Sequence, residues 1–479
     1  MASELAVRLP LGVGAISRTR WLLLVGAVQL ASALGAVLYG WAWITLPVLA
    51  MAAAVPLLAP RAGVYLLVIA MYLRYSLPGL VGVYPADILC FLVITGSMAH
   101  RIARGESPIV QSRVNARLFL VAAVLALSLL AAYDLEFGLK NWLRHVQLFL
   151  LLVAIPGCIK LDDPMRIMRL ILVLTSANSV RNIIEFIWIG GGARVFGPPG
   201  PFFEMFLAVV IVQCAIEVIF CRRSLPTLGW LLLFLLNLTA LICTQSRTPM
   251  IQVVLAISLL VAICWYWSRR NHQSGIKGRA VATTAILAVV GIILLSGALT
   301  VFTAPASRIY QAVEGRSGTV AMRFYLWKTG LEMFLQSPVL GIGLGQVARW
   351  DLFLASWHLD PLAVSTRTMG AHNDFINYLA GTGMAGIAAL FLLFARFWEL
   401  GYSALRRAVT PEVARGIFLT WFPVCTIIIG FFLGPHTFYS LSGILAVICM
   451  GVLVSAAARG PVVLPGSPAT IIPNSRGRS

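Results

Sequence analysis

Three short polar stretches hold the residues with chemistry in them. Thr244-Gln245-Ser246-Arg247-Thr248-Pro249 interrupts two apolar runs, and Arg316 and Arg323 lie in a long hydrophilic segment. Ala371-His372-Asn373-Asp374-Phe375-Ile376-Asn377 stands where that segment returns to apolar sequence. Taken singly, each has a plain reading. Arg247 would anchor a helix at an interface, an Arg on a loop helix would face water, and a His at a helix start would cap it. Taken together they amount to more. Two or three fixed guanidiniums can clamp a diphosphate bidentately. An imidazole titrates near neutral pH and can accept a proton from a hydroxyl. That is equipment for displacing a diphosphate-linked lipid from a sugar.

Other chemistries find less support. The eight Cys (90, 158, 214, 221, 243, 264, 425 and 449) lie within or at the ends of apolar runs without a C-x-x-C pair, so they read as small packing residues. The six His (100, 145, 272, 358, 372 and 436) lack zinc-site spacing, so no metal is expected. There is no Walker A sequence, and Gly341-Ile342-Gly343-Leu344-Gly345 follows a turn rather than a strand, which makes it a tight turn and not a dinucleotide loop. No cofactor is expected. Arg181, Glu185, Glu204 and Glu217 are the charges a transporter could use. Arg181 and Glu185 can pair at i,i+4, and Glu217 is near enough to a span end to snorkel. Charges gather at the outer ends of spans, which suits an enzyme better than a carrier with a site near the midplane.

The elements that must position these groups are membrane helices. The chain has 479 residues, 60% hydrophobic and 11% charged, against about 25% charged in soluble domains. That excludes a soluble enzyme, a disordered chain and a secreted disulfide scaffold. The net charge of +19 would suggest nucleic acid in a soluble protein; in a membrane protein it reports topology, and no nucleic-acid partner is expected. Apolar runs of about 20 residues place spans at 21–40, 42–59, 62–79, 84–99, 117–133, 146–160, 167–189, 202–220, 226–244, 248–267, 280–302, 373–395, 416–433 and 438–457. The expected fold is an all-α polytopic membrane protein of about twelve to fourteen transmembrane helices.

With the N-terminus inside, the Arg-rich short loops fall on the inner side, as the positive-inside rule requires, and the outer side nearly balances. Both termini are then cytoplasmic. The first apolar run has no A-x-A-like site and passes into a second, so no cleavable signal peptide is expected. The parts are a cytoplasmic N-terminus at 1–20, an N-terminal transmembrane bundle at 21–302, one large periplasmic loop with short helices at 303–371, C-terminal transmembrane helices at 372–457 and a disordered cytoplasmic tail at 458–479. Within the loop, 319–336 reads as an amphipathic helix with Val320, Phe324, Trp327 and Leu331 on one face. The small residues of Leu379-Ala380-Gly381-Thr382-Gly383-Met384-Ala385-Gly386 permit close helix contact.

His372-Asn373, nine residues, Gly383, two residues and Gly386 resemble the H-[N/S/Q]-x9-G-x-x-G pattern of the bacterial O-antigen ligases. SPVLGIGLGQ followed by AHNDFINYLAGTGMAG looks like the core of the wider O-antigen ligase/polymerase family. Ser246-Arg247 resembles that family's Arg before the span two ahead of the large loop, and Arg323 resembles its second Arg. The resemblance runs over roughly residues 180–457, and its firmest motif is at 372–386. Such ligases usually have about twelve spans, against about fourteen counted here.

The resemblance implies a metal-independent inverting glycosyltransferase in the bacterial inner membrane with its active site facing the periplasm. The donor would be a polysaccharide on undecaprenyl diphosphate, the acceptor a lipid A-core sugar or other glycan, and the surroundings membrane lipid. His372 would deprotonate or orient the acceptor hydroxyl, and Arg247 and Arg323 would neutralise the leaving diphosphate. Arg194 and Arg316 are further candidates for the diphosphate, and Asn373 and Asp374 for substrate contact, although a two-residue offset on a helix does not favour Asp374 as a partner of His372. A polymerase, a protein O-oligosaccharyltransferase, a lipid or polysaccharide transporter and a structural scaffold are the alternatives.

Overall fold

The computed structural model describes residues 54–72, 85–160, 162–189, 203–221, 224–244, 246–273, 318–348, 370–434 and 440–458, with Val195, Gly275, Ile276 and Gly278 singly. The expected spans at 21–40 and 280–302, most of 42–59, both tails, Arg194 and Arg316 lie outside the described residues.

The helices are α1 (Pro60–Ala70), α2 (Pro85–Ala103), α3 (Asn115–Ser128, with a 3-10 turn to Ala131), α4 (Leu135–Cys158), α5 (Asp163–Trp188), α6 (Phe203–Phe220), α7 (Ser224–Cys243), α8 (Arg247–Arg270), α9 (Gly318–Gln336), α10 (Asp374–Arg407), α11 (Pro411–Leu433) and α12 (Ser440–Ala458). No strand occurs among the described residues. Eight of these helices are long and apolar enough to cross a membrane, so the chain is an all-α polytopic membrane protein.

Starts are written in local chemistry. The Asp134 side chain accepts the Phe137 N–H at 2.9 Å to cap α4, and Thr410 caps α11 ahead of Pro411. α4 begins at Leu135 rather than near 146, because the polar residues of its first turns find partners inside the protein. Arg144 pairs with Asp87 of α2 at 2.5 Å, and Gln147 Nε2 donates to the Asp87 carbonyl at 3.0 Å.

The centre of the bundle is α6, apolar on all sides and almost wholly enclosed, with α11 and α12 nearly as deep. α7 buries only a stripe, from Phe234 through Asn237, Ala240 and Leu241 to Cys243. Asn237 locks that stripe to α5: Ser179 Oγ donates to its Oδ1 at 2.8 Å, and its Nδ2 donates to Ser176 Oγ at 3.0 Å. Glu217 does not snorkel as expected. It is 4% exposed and pairs with Arg415 of α11 at 2.6 Å, because α11 packs along α6 and supplies the counter-charge there.

Of the face expected of α9, the side chains of Val320 and Phe324 lie outside the described residues. Leu326, Thr329, Gly330 and Met333 are buried, Trp327 is partly buried, and Leu331 is 45% exposed. Gly330 decides this, since a Cβ there would lie 2.6 Å from Ile376 Cγ2. Only a bare backbone lets α10 approach so closely, and the neighbouring side chains turn inward with it.

Candidate active site

Asn373 starts the construction. Its Oδ1 accepts the Ile376 N–H at 3.2 Å, capping α10, and its Nδ2 donates to the Phe432 carbonyl at 2.9 Å. The Asp374 N–H donates to the Gly434 carbonyl at 3.0 Å, and Asn377 Oδ1 accepts the Ala371 N–H at 2.7 Å. Both flanks of His372 are thereby pinned, one to the end of α11 and one to the first turn of α10. Between them His372 sits at φ 50°, a left-handed conformation that costs a non-glycine residue about 1–2 kcal/mol. Hydrogen bonds on either side hold the His372 backbone in that conformation, as strained residues at working sites commonly are held.

The end of α11 also brings in α8. A Cβ on Gly434 would lie 3.0 Å from Thr248 Cγ2, so the first turn of α8 stands beside the His372 pin. Arg247 opens α8, where unpaired backbone N–H groups and the helix dipole favour an anion. Pro249 is third in the helix rather than first, still within the turn whose N–H groups lack helical partners. From the other side, Arg323 of α9 reaches in and its Nη1 donates to Thr248 Oγ1 at 3.4 Å. Its charge also acts on His372. Burial first, and the Arg323 guanidinium second, hold the imidazole below its ordinary pKa. His372 is therefore neutral at neutral pH, half-buried, with a lone pair available to a proton.

Of the residues expected at the site, His372, Arg323 and the start of α8 converge. Both polar ends of Asn373 are committed to the main chain. Asp374 is fully buried in the first turn of α10. Thr248, Asn377 and Gln346 were not anticipated.

The glycine motifs have a mechanical role. α10 breaks at Gly383, with φ 62° and ψ −166°, a region essentially open only to glycine. The segment after α9 fills the break. Ile342 and Gly343 N–H groups donate to the Ala380 and Gly381 carbonyls at 2.9 and 3.0 Å, and the Met384 and Ala385 N–H groups donate to the Pro338 and Val339 carbonyls at 2.9 and 3.1 Å. The broken helix recovers its hydrogen bonds from the loop, as irregular backbone within a membrane bundle must. Cβ atoms at Gly341 and Gly383 would come within 2.4 Å of Gly381 C and 2.3 Å of Val339 O. The close contact expected of Gly381–Gly386 is thus made with GIGLG. Gln346, fully buried, clasps the segment to the start of α4: its Oε1 accepts the Asp134 N–H at 2.9 Å and its Nε2 donates to the Asp134 carbonyl at 2.8 Å.

No curated protein matches the chain. A family match does fall on this site and covers the C-terminal part of α7, all of α8 and α9, the interlocking segment, His372 and the first half of α10. It supports a function of the O-antigen ligase/polymerase type, that of a membrane glycosyltransferase acting on lipid-linked glycan. Residues 232–391, the stretch containing Arg247, Arg323 and His372, match the family model described as O-antigen ligase.

Proposed function

We propose that the chain transfers a polysaccharide from undecaprenyl diphosphate to a hydroxyl of a lipid A-core sugar, at the periplasmic face of the bacterial inner membrane, with both termini cytoplasmic. The observation that carries the reading is Arg323 lying between Thr248, at the start of α8, and His372. A cation beside a neutral base supplies the two things this displacement needs. The His372 imidazole takes the proton of the acceptor hydroxyl as its oxygen attacks the anomeric carbon. The bond from that carbon to the diphosphate oxygen breaks, and undecaprenyl diphosphate leaves with the electron pair. Attack opposite the leaving group inverts the anomeric centre. Arg247, Arg323 and the N-terminal end of α8 meet the charge that grows on the diphosphate, where fixed positive groups are worth most. Arg194 and Arg316 are further candidates for holding it, and Asn373 and Asp374 for contacting substrate.

The diphosphate bond stores the free energy of transfer, so the reaction calls for neither ATP nor a metal ion. The test is purified protein with lipid-linked glycan and candidate acceptors, in chelator, comparing wild type with His372→Ala. Loss of product in the variant is expected, and undiminished product would remove His372 from the mechanism. Omitting lipid A-core separates ligase from polymerase, since a polymerase would still lengthen the lipid-linked glycan. A transporter would form no glycosidic bond in either case.

A further inference from the structure

α8 and α10 both run from the His372 site to the far end of the bundle, and there a second concentration of charge occurs. Arg270 ends α8, Arg406 and Arg407 end α10, Arg396 stands about three turns before that end, and Arg113 precedes α3. These five guanidiniums line one cavity of about 510 Å3 together with a single carboxylate, Glu399. Arg396 already pairs with that carboxylate, and its Nε is buried without a hydrogen-bond partner. No ion pair engages Arg113, Arg270, Arg406 or Arg407 among the described residues.

Charge that only sets topology needs to reach water and has no reason to converge. Here the convergence is built. Trp267 Nε1 donates to the Ala408 carbonyl at 3.0 Å, which holds the last turn of α8 against the end of α10. The Arg407 Nε donates to the Ser403 carbonyl at 3.2 Å, which lays that side chain along the helix. Arginines from two helices and from the turn before a third are thus kept around one concavity despite their mutual repulsion, an arrangement that an anion relieves. The volume falls in the range of small-molecule pockets. Leu400 also lines the cavity, and Trp398, one residue from Glu399, is 40% exposed on the outside of α10. A partly exposed Trp beside charged residues is typical of the level of lipid headgroups.

We infer that this cavity binds a phosphate-bearing anion, the headgroup of an acidic phospholipid entering from the adjacent leaflet. Basic pockets between helix ends take such headgroups. The inference does not depend on the glycosyltransfer reading, because no residue is shared with the His372 site.

The full chain, purified in neutral detergent, would be given phosphatidylglycerol or phosphatidylethanolamine and the retained lipid read by native mass spectrometry. Inorganic phosphate and diphosphate would be titrated in a separate arm. Wild type is expected to retain phosphatidylglycerol in preference to the zwitterionic lipid. The triple variant Arg270→Gln/Arg406→Gln/Arg407→Gln is expected to lose that preference, at about fivefold per guanidinium removed. Arg166→Gln/Arg169→Gln, elsewhere on the same rim, is expected to keep it. If the triple variant fails to fold, Arg270→Gln alone removes one exposed side chain and should weaken retention about fivefold. Tight binding of phosphate or diphosphate without lipid preference, lost in the same variants, would keep the anion site and assign it a soluble ligand. Retention that ignores headgroup charge, with no phosphate binding, or that survives the Arg270 substitution unchanged, would overturn the inference.

Discussion

Arg323 lies close enough to His372 for its charge to disfavour protonation of the imidazole, and burial acts in the same direction. The guanidinium that would meet the leaving diphosphate therefore also keeps the base unprotonated. The folded-state pKa is lowered, so the working neutral form is present at neutral pH and is lost only as pH falls through a value below the ordinary 6.5. Arg323→Gln removes the cation and should move the acid limb of the rate profile to higher pH. It should also cut kcat by on the order of 10²–10³, the usual cost of losing one transition-state donor. Arg323→Lys keeps a charge and should leave the limb nearer the wild-type position. A pH–rate profile of the three proteins reads this directly, and an unmoved limb in the Gln variant would dissociate the two residues.

Gly383→Ala tests the interlock between the two glycine motifs. The new Cβ meets the Val339 carbonyl oxygen at 2.3 Å, with the backbone at φ 62°. Strain of this kind costs about 1–3 kcal/mol before the clash is counted, so the variant should melt earlier in detergent and lose transfer activity. Gly341→Ala, whose Cβ would face Gly381 C at 2.4 Å, should behave alike. A wild-type melting temperature in both would mean that the segment docks more loosely than its hydrogen bonds imply.

The structure brings together His372, Arg323 and the start of α8, which the residue types of the sequence single out as chemical. The membrane helices were legible because apolar runs report lipid or a buried core. What escaped depends on packing between distant segments. Thr248 meets Arg323 from 75 residues away, and Gln346 clasps Asp134 across 212; neither leaves a local periodicity. Gly330 adds no hydrophobicity to the pattern of α9, yet its missing Cβ admits Ile376 and helps set which residues are buried. The first turns of α4 were passed over for the opposite reason, since Arg144 looks exposed until Asp87 is seen beside it. The main-chain bonds that Asn373 makes to Phe432 and Ile376 leave no sign in its residue type either.

Gln346 is expected to matter for stability and geometry rather than for proton transfer. Gln346→Ala removes both hydrogen bonds to Asp134 and leaves the partly buried Asp134 N–H unmatched, while the Asp134 C=O keeps the Gly138 N–H, at about 1–3 kcal/mol. Gln346→Glu restores an acceptor for the N–H but sets a carboxylate against the Asp134 carbonyl, so it should not rescue. Thermal unfolding should fall in both, while the pH dependence of the residual activity stays that of wild type. A shifted acid limb would instead connect Gln346 electrostatically to His372.

Glu217 and Arg415 offer a test of packing away from the site. The pair joins α6 to α11 with Glu217 buried and Arg415 partly exposed. Removing one partner leaves a charge buried among apolar helices, a loss of about 3–5 kcal/mol, so Arg415→Met alone should unfold well below wild type. Glu217→Gln alone removes the buried charge and should cost less. The double variant Glu217→Leu/Arg415→Met replaces the pair by apolar side chains and should recover most of the loss, because the ion pair itself barely offsets its own desolvation. Thermal melts of the four proteins decide the matter. If the double variant is as unstable as Arg415→Met, the pair contributes more than mutual neutralisation, and the α6–α11 contact depends on its hydrogen-bond geometry.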